Sequence, residues 1–134
     1  MKTVSLSPSR IAPANGAYAA PQKIALPILE GYLFQSVAEL ALLTAESNYS
    51  CLYLTNGKKV LVCKTLGSME ALLQPFPQFV RVHRSHIVNL HLIEKYIRGK
   101  GGQIVLQGGR SVSVSNSRKA NFLRALGRCY RQSF

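Results

Sequence analysis

From Lys23 onward, short apolar runs alternate with polar or glycine-bearing breaks, and the dominant period is two. Ile24, Leu26 and Ile28 occupy alternate positions, which predicts a first strand with Pro27 near its end. Gly31 punctuates, Tyr32-Leu33-Phe34 reads as a short second strand, and Val37 to Leu40 as one helical turn. Leu40 to Ala45 is apolar almost throughout, the pattern of a buried third strand, and Glu46 to Ser50 follows as a polar loop. Cys51–Leu54 and Lys59–Val62 flank Thr55-Asn56-Gly57-Lys58. Asn-Gly accepts the two positive φ angles of a tight hairpin turn, so this is the clearest hairpin in the chain.

Thr65 is placed to cap a short helix through Leu73, with Leu66, Met69, Leu72 and Leu73 on one face and Pro75 as its stop. A strand begins at Phe79. Further strands are expected at Leu92–Arg98, Gln103–Leu106 and Arg110–Val114, separated by the turns Gly99-Lys100-Gly101-Gly102 and Gly108-Gly109. Ser115, Asn116 and Ser117 offer caps for a last helix from about Asn116 to Gly127. Phe122, Leu123 and Leu126 supply its apolar stripe, while Arg124, Arg128 and Arg131 project elsewhere. The sum is a mostly β fold of antiparallel strands with a short internal helix and a C-terminal helix, not a βαβ enzyme fold. Residues 1–21, with Pro8, Pro13, Pro21 and Gly16 and no periodicity, read as a disordered tail. Residues 22–128 form the expected single domain, and 129–134 a C-terminal tail.

One stretch breaks the strand pattern. Phe79-Val-Arg-Val-His-Arg-Ser-His-Ile-Val-Asn89 starts as a strand, then carries Arg81, His83, Arg84 and His86 before returning to apolar at Ile87-Val88. Unpartnered buried charge is expensive, so the stretch reads as a strand delivering a positive loop to a surface. Composition agrees. The chain has 17 Lys+Arg against 5 Asp+Glu, a net charge of +12. The excess is lopsided: residues 1–78 carry +2, and residues 79–134, with Glu94 as their only acid, carry +10. Such a field points to a polyanion, nucleic acid before anionic lipid.

Other chemistries fade on inspection. There is no aspartate, so no aspartyl phosphoacceptor lies in the sequence. The five glutamates are scattered, leaving little for paired-carboxylate chemistry. His83, His86 and His91 do not fall on one face and have no nearby acidic ligand, so no metal is expected. Ser85 beside two histidines lacks an orienting acid and a nucleophile-elbow pattern, so no enzyme and no cofactor are expected. Cys51, Cys63 and Cys129 suit thiols in a reducing compartment, and no apolar run approaches a membrane span. A cytoplasmic, nucleoid-associated protein is expected.

Arg118 and Lys119 fall in the first turn of the last helix, at the positive end of its dipole, where cations are mildly unfavourable. With Ser115, Asn116 and Ser117 they suggest an anion site suited to DNA phosphate. Arg84 and Asn48 are residue types that read guanine and adenine, and no aromatic RNA-stacking platform is present.

The Phe79–Asn89 run is followed by Ile93, a glycine-containing turn, Ile104 and Leu106, and Val112-Ser-Val-Ser115 before a helix. Together these resemble the LytTR (LytR/AlgR-type) DNA-binding domain of bacterial transcription regulators, over roughly Lys23 to Leu126. The resemblance implies an elongated antiparallel β fold that docks through loops onto successive major grooves. It implies contacts from Asn48, Tyr49 and Ser50, from His83, Arg84 and Ser85, and from Ser115, Asn116, Ser117 and Arg118, with Lys119 adjacent. Asn89 is expected to fix a turn, and Ile87 and Val88 to be core. Two departures stand out. Family members usually carry a receiver domain, and many place a basic residue directly after the Val-Ser pair, where this chain has Asn116-Ser117.

The expected function is a sequence-specific, double-stranded DNA-binding transcriptional regulator, with two copies on direct repeats one helical turn apart. The alternatives are a partner-binding module controlling a regulator or membrane protein of a signalling system, and a general nucleic-acid-binding protein.

Overall fold

The structure, a computed structural model, describes residues 22–99 and 101–131; the expected tail at 1–21 lies outside them. Ten strands and two helices run in the order β1 (Lys23–Ile28), β2 (Gly31–Ser36), β3 (Leu40–Glu46), β4 (Tyr49–Leu54), β5 (Lys59–Val62), α1 (Leu66–Leu72), β6 (Phe79–His83), β7 (His86–Asn89), β8 (Ile93–Ile97), β9 (Gln103–Leu106), β10 (Ser111–Ser113) and α2 (Asn116–Cys129). They form three antiparallel sheets: β1-β2, β10-β9-β8, and a central β5-β4-β3-β7-β6. The mostly β expectation, with one short and one C-terminal helix, is met.

Pro27 sits inside β1 without breaking a ladder. Cys63 N–H donates to the Pro27 carbonyl at 2.8 Å, so the backbone groups of Pro27 point away from β2. Its missing N–H therefore removes no bond of the β1-β2 pair.

The central sheet is covered on both faces, which explains why β3 reads as continuous apolar sequence and not as an alternation. One face carries Leu40, Leu43, Leu52, Val62 and Ile87 against Leu26 of β1 and Leu66, Met69 and Leu73 from the α1 region. The other carries Leu42, Val80, Val82 and Val88 against Ile104, Leu106, Val112 and the Phe122, Ala125 and Leu126 stripe of α2. Phe122 is fully buried and meets Tyr96 edge-on, ring centroids 5.2 Å apart. Burial of one such side chain contributes about 1.5–3 kcal/mol. Arg110 lies over the Tyr53 ring, 4.0 Å from its centroid, and so bridges the three-stranded and central sheets.

Local chemistry sets the ends. Thr65 caps α1, its Oγ1 accepting from Ser68 N–H at 3.2 Å. Asn89 is buried: its Nδ2 donates to the Leu40 carbonyl at 2.8 Å, and its Oδ1 accepts from His91 N–H at 2.9 Å. It thus fixes the short 3-10 turn Leu90–Leu92 to the start of β3. Helix α2 runs through Cys129, past the expected Gly127, and the Tyr130 hydroxyl donates to the Leu90 carbonyl at 2.5 Å.

Candidate nucleic-acid interface

Three loops expected to act together meet at one end of the central sheet. Strands β3 and β7 are neighbours, pairing Thr44 with His86, and Ala45 N–H donates to the Ser85 carbonyl at 3.0 Å. This sets the β3-β4 turn beside the β6-β7 turn. Ser115 N–H donates to the Val82 carbonyl at 2.9 Å, which brings the start of α2 against the end of β6.

The β3-β4 connection is tighter than the expected Glu46–Ser50 loop. Glu46 pairs with Tyr49, so Ser47 and Asn48 alone form the turn, and Ser47 takes φ 58°. Asn48 and Tyr49 are exposed. Ser50 is fully buried, and its Oγ donates to the Lys64 carbonyl at 2.7 Å. The structure gives this hydroxyl a role in joining β4 to the segment after β5, and turns it away from the loop surface.

In the β6-β7 connection His83 pairs with His86, leaving Arg84 and Ser85 as the turn. Arg84 is exposed at the tip. Ser85 N–H donates to His83 Nδ1 at 3.1 Å, so the neutral imidazole carries its proton on Nε2. The His83 and His86 rings lie 5.2 Å apart, and His86 Nδ1 is 3.4 Å from Thr44 Oγ1. Burial, and then the neighbouring His83, lower the His86 pKa. Arg81, first of the basic cluster, does not project with the others. Its Nη1 donates to Glu70 Oε1 at 2.9 Å, its Nε to the His83 carbonyl at 3.4 Å, and its Nη2 to the Arg84 carbonyl.

At the start of α2, Ser115 holds the N-cap position, but its side chain makes no capping bond. Its Oγ is buried and has no hydrogen-bond partner. Asn116 and Ser117 are exposed; Arg118 and Lys119 are half-buried. A concavity of about 370 Å³ opens here, lined by His83, Gly101, Ser113, Ser115, Asn116 and Lys119. Val114 also lines it, so its walls are mixed, and Lys119 beside the first turn of α2 is the feature at its rim that favours an anion.

Gly101 and Ser113 were not expected at this surface. Val114 N–H donates to the Gly102 carbonyl at 3.1 Å, which carries the β8-β9 turn to the same concavity. The signal was the close spacing of glycines between Arg98 and Gln103, which a hairpin turn alone also explains. Gly102 has φ 37°, and a Cβ there would lie 2.8 Å from the Tyr96 hydroxyl, so a side chain at that point would be strained and would displace the Tyr96 ring. Among the described residues, no group of three His, Cys, Asp or Glu side chains is placed to share a metal ion, and no helix is long and apolar enough to cross a membrane.

Stacked antiparallel sheets that gather exposed polar turns and a cationic helix start at one end define a loop-presenting nucleic-acid-binding module. Residues 30–127 match the sequence model of the LytTr DNA-binding domain, and the chain belongs to that family of DNA-binding domains. Among solved structures, it is similar to the LytTr DNA-binding domain of a protein from Bacillus cereus described as a methyl-accepting/DNA response regulator. The identity is 24%, the TM-score 0.67, and the match covers 78% of this chain and 96% of that one, a likeness of fold. No curated protein matches the sequence.

Proposed function

We propose that this domain is a sequence-specific, double-stranded DNA-binding transcriptional regulator that reads promoter repeats through turns, not through a recognition helix. The observation that carries this reading is the meeting of Asn48, Arg84 and the α2 start at one end of the sheet, in a chain whose residues 79–134 carry +10. Arg84 is the guanine-reading candidate and Asn48 the adenine-reading one, each entering a major groove from a two-residue turn. Tyr49, His83, Asn116, Ser117, Arg118 and Lys119 hold phosphates or register, and Ser85 contributes its backbone. Ser50 and Ser115 act inside the fold, through the bond to Lys64 and the approach to Val82. Two copies on direct repeats would give a small module the contact area that specificity needs.

Selection from a randomised duplex library supplies the test, followed by titrations of the winning duplex, a scrambled duplex and a hairpin RNA over a salt series. The winner is expected to bind at least about 10³ tighter than the scrambled duplex. Equal affinity for all three would end the specific reading. Arg84→Ala is expected to lose about 1–3 kcal/mol on the selected duplex and to relax one base position. Lys58→Ala, in the exposed β4-β5 turn at the other end of the sheet, is expected to leave the ratio of selected to scrambled unchanged.

A further inference from the structure

We infer that Arg81 is a positioning residue for the β6-β7 turn, held in place by Glu70, and not a DNA contact. The inference rests on the DNA-reading role proposed above for that turn. The sequence sets Arg81 at the head of a run of cations without assigning it a role. The structure turns it inward. Along β6, Phe79 and Arg81 lie on the face toward α1, while Val80 and Val82 enter the other core. The stem of Arg81 shares a recess with Leu73, Phe76, Phe79 and Ile87, and its side chain is only 18% exposed.

Its guanidinium reaches two successive backbone acceptors of the turn, the carbonyls of His83 and Arg84, and one carboxylate, Glu70. A planar fork fixes the relative orientation of the groups it binds, which a lysine ammonium cannot do. The ladder of β6 and β7 shifts register between Arg81 and His83, so the turn is not held by regular strand pairing alone. The Ser85 N–H bond to His83 Nδ1 ties it a second time. What remains for the Arg84 side chain is to project from a backbone already set in place, so less ordering entropy is lost on binding.

Glu70 does two things. It orients the fork, and it neutralises a cation that would repel Arg84. The Arg81–Glu70 contact is the one ion pair among the described residues of a strongly basic chain. A carboxylate at that spot also opposes the approach of a phosphate to Arg81.

The test uses the full chain with Arg81→Lys, Arg81→Gln and Glu70→Gln, on the selected and scrambled duplexes over a salt series, with amide relaxation of Arg84 and Ser85. Thermal melts show that each variant is folded, and Glu70→Gln, at a half-exposed side chain, keeps a variant available if Arg81 tolerates no change. Arg81→Lys, which keeps the charge, is expected to lower the preference for the selected duplex about tenfold, with scrambled-duplex affinity and salt slope unchanged. The order parameters of Arg84 and Ser85 are expected to fall from about 0.85 toward 0.6, while Val80 and Val82 stay rigid. Glu70→Gln should shift both readouts the same way by less. Wild-type preference and ordered Arg84 and Ser85 amides in Arg81→Lys would overturn the inference. So would a salt slope reduced by about 0.9 in Arg81→Gln, the mark of a lost phosphate contact. If the wild-type protein prefers no duplex, the DNA-reading role fails, and the amide order of Arg84 and Ser85 alone decides whether Arg81 holds the turn.

Discussion

The two turns that carry Asn48 and Arg84 are neighbours of equal length built in opposite ways. The β3-β4 turn is made by backbone. One residue, Ser47, enters the left-handed region at φ 58°, and Glu46 and Tyr49 close the pair around it. The β6-β7 turn is made by side chains. The Arg81 fork, Glu70 behind it and the His83 ring hold a backbone that the bulged ladder leaves less constrained. A turn of the first kind stores its conformational cost in one residue, while a turn of the second kind depends on distant parts of the fold. Its weak points are therefore in the core and in α1, not at its tip.

The largest effect should come from the core beneath the second turn. Ile87 is 1% exposed, pairs with Arg81 across β6 and β7 and with Leu43 across β3, and packs among the leucines on the α1 side. Ile87→Ala is expected to lower unfolding free energy by about 2–4 kcal/mol in urea denaturation, a large share of the roughly 5–15 kcal/mol of a small domain. Leu61→Ala, at a β5 position 47% exposed, should stay within about 0.5 kcal/mol. A loss at Ile87 no greater than that at Leu61 would mean that the second turn does not lean on this core.

At the first turn the prediction reverses sign. A non-glycine residue in the left-handed region costs about 1–2 kcal/mol, and glycine's extra freedom in the unfolded chain offsets about 0.4–1 of that. Ser47→Gly is therefore expected to stabilise by about 0.5 kcal/mol and to raise Tm by about 2–4 °C. A fall in Tm would show that the Ser47 side chain supports the turn, and the contrast between the two constructions would weaken.

The same contrast explains what could be read from the residues. The alternation of Ile24, Leu26 and Ile28, the Thr65 cap and the Phe122 stripe are local signals, and each became the element expected. The Asn56-Gly57 hairpin formed with a different turn: Gly57 alone in it has positive φ (88°), and Leu54 N–H donates to the Lys58 carbonyl across a longer connection than the expected two-residue turn. The two-faced burial of β3 was legible as continuous apolar sequence. Ser50 was misjudged because side chains alternate along a strand. Once the turn shrinks to Ser47 and Asn48, β4 begins at Tyr49, and the next residue points inward. The ion pair of Arg81 was not legible for another reason: its partner lies on a helix eleven positions upstream, and no period in the sequence links Glu70 to a basic cluster. Gly101 and Ser113 came to the concavity at the start of α2 through a bond between Val114 and Gly102 that joins separate turns.

The smallest effect should follow pH, and only the second turn should feel it. His86 gives up its proton below the ordinary 6.5, because burial disfavours the charged ring and His83 adds repulsion. Burial and His83 are the influences on its ring, and no carboxylate is among them to offset a charge there. In the unfolded chain the same imidazole titrates at its ordinary value. The folded state therefore binds fewer protons than the unfolded state across that window, and stability rises with pH through it. The full stability is present above about 6.5 and erodes as pH falls from there through the lowered folded value. Unfolding free energies at pH 7.5 and 5.5 should differ more for the wild-type protein than for His86→Gln, which keeps a polar group near Thr44 without the titration. An identical pH dependence in the two proteins would remove His86 as the cause, and with it the claim that the side chains around this turn set its sensitivity.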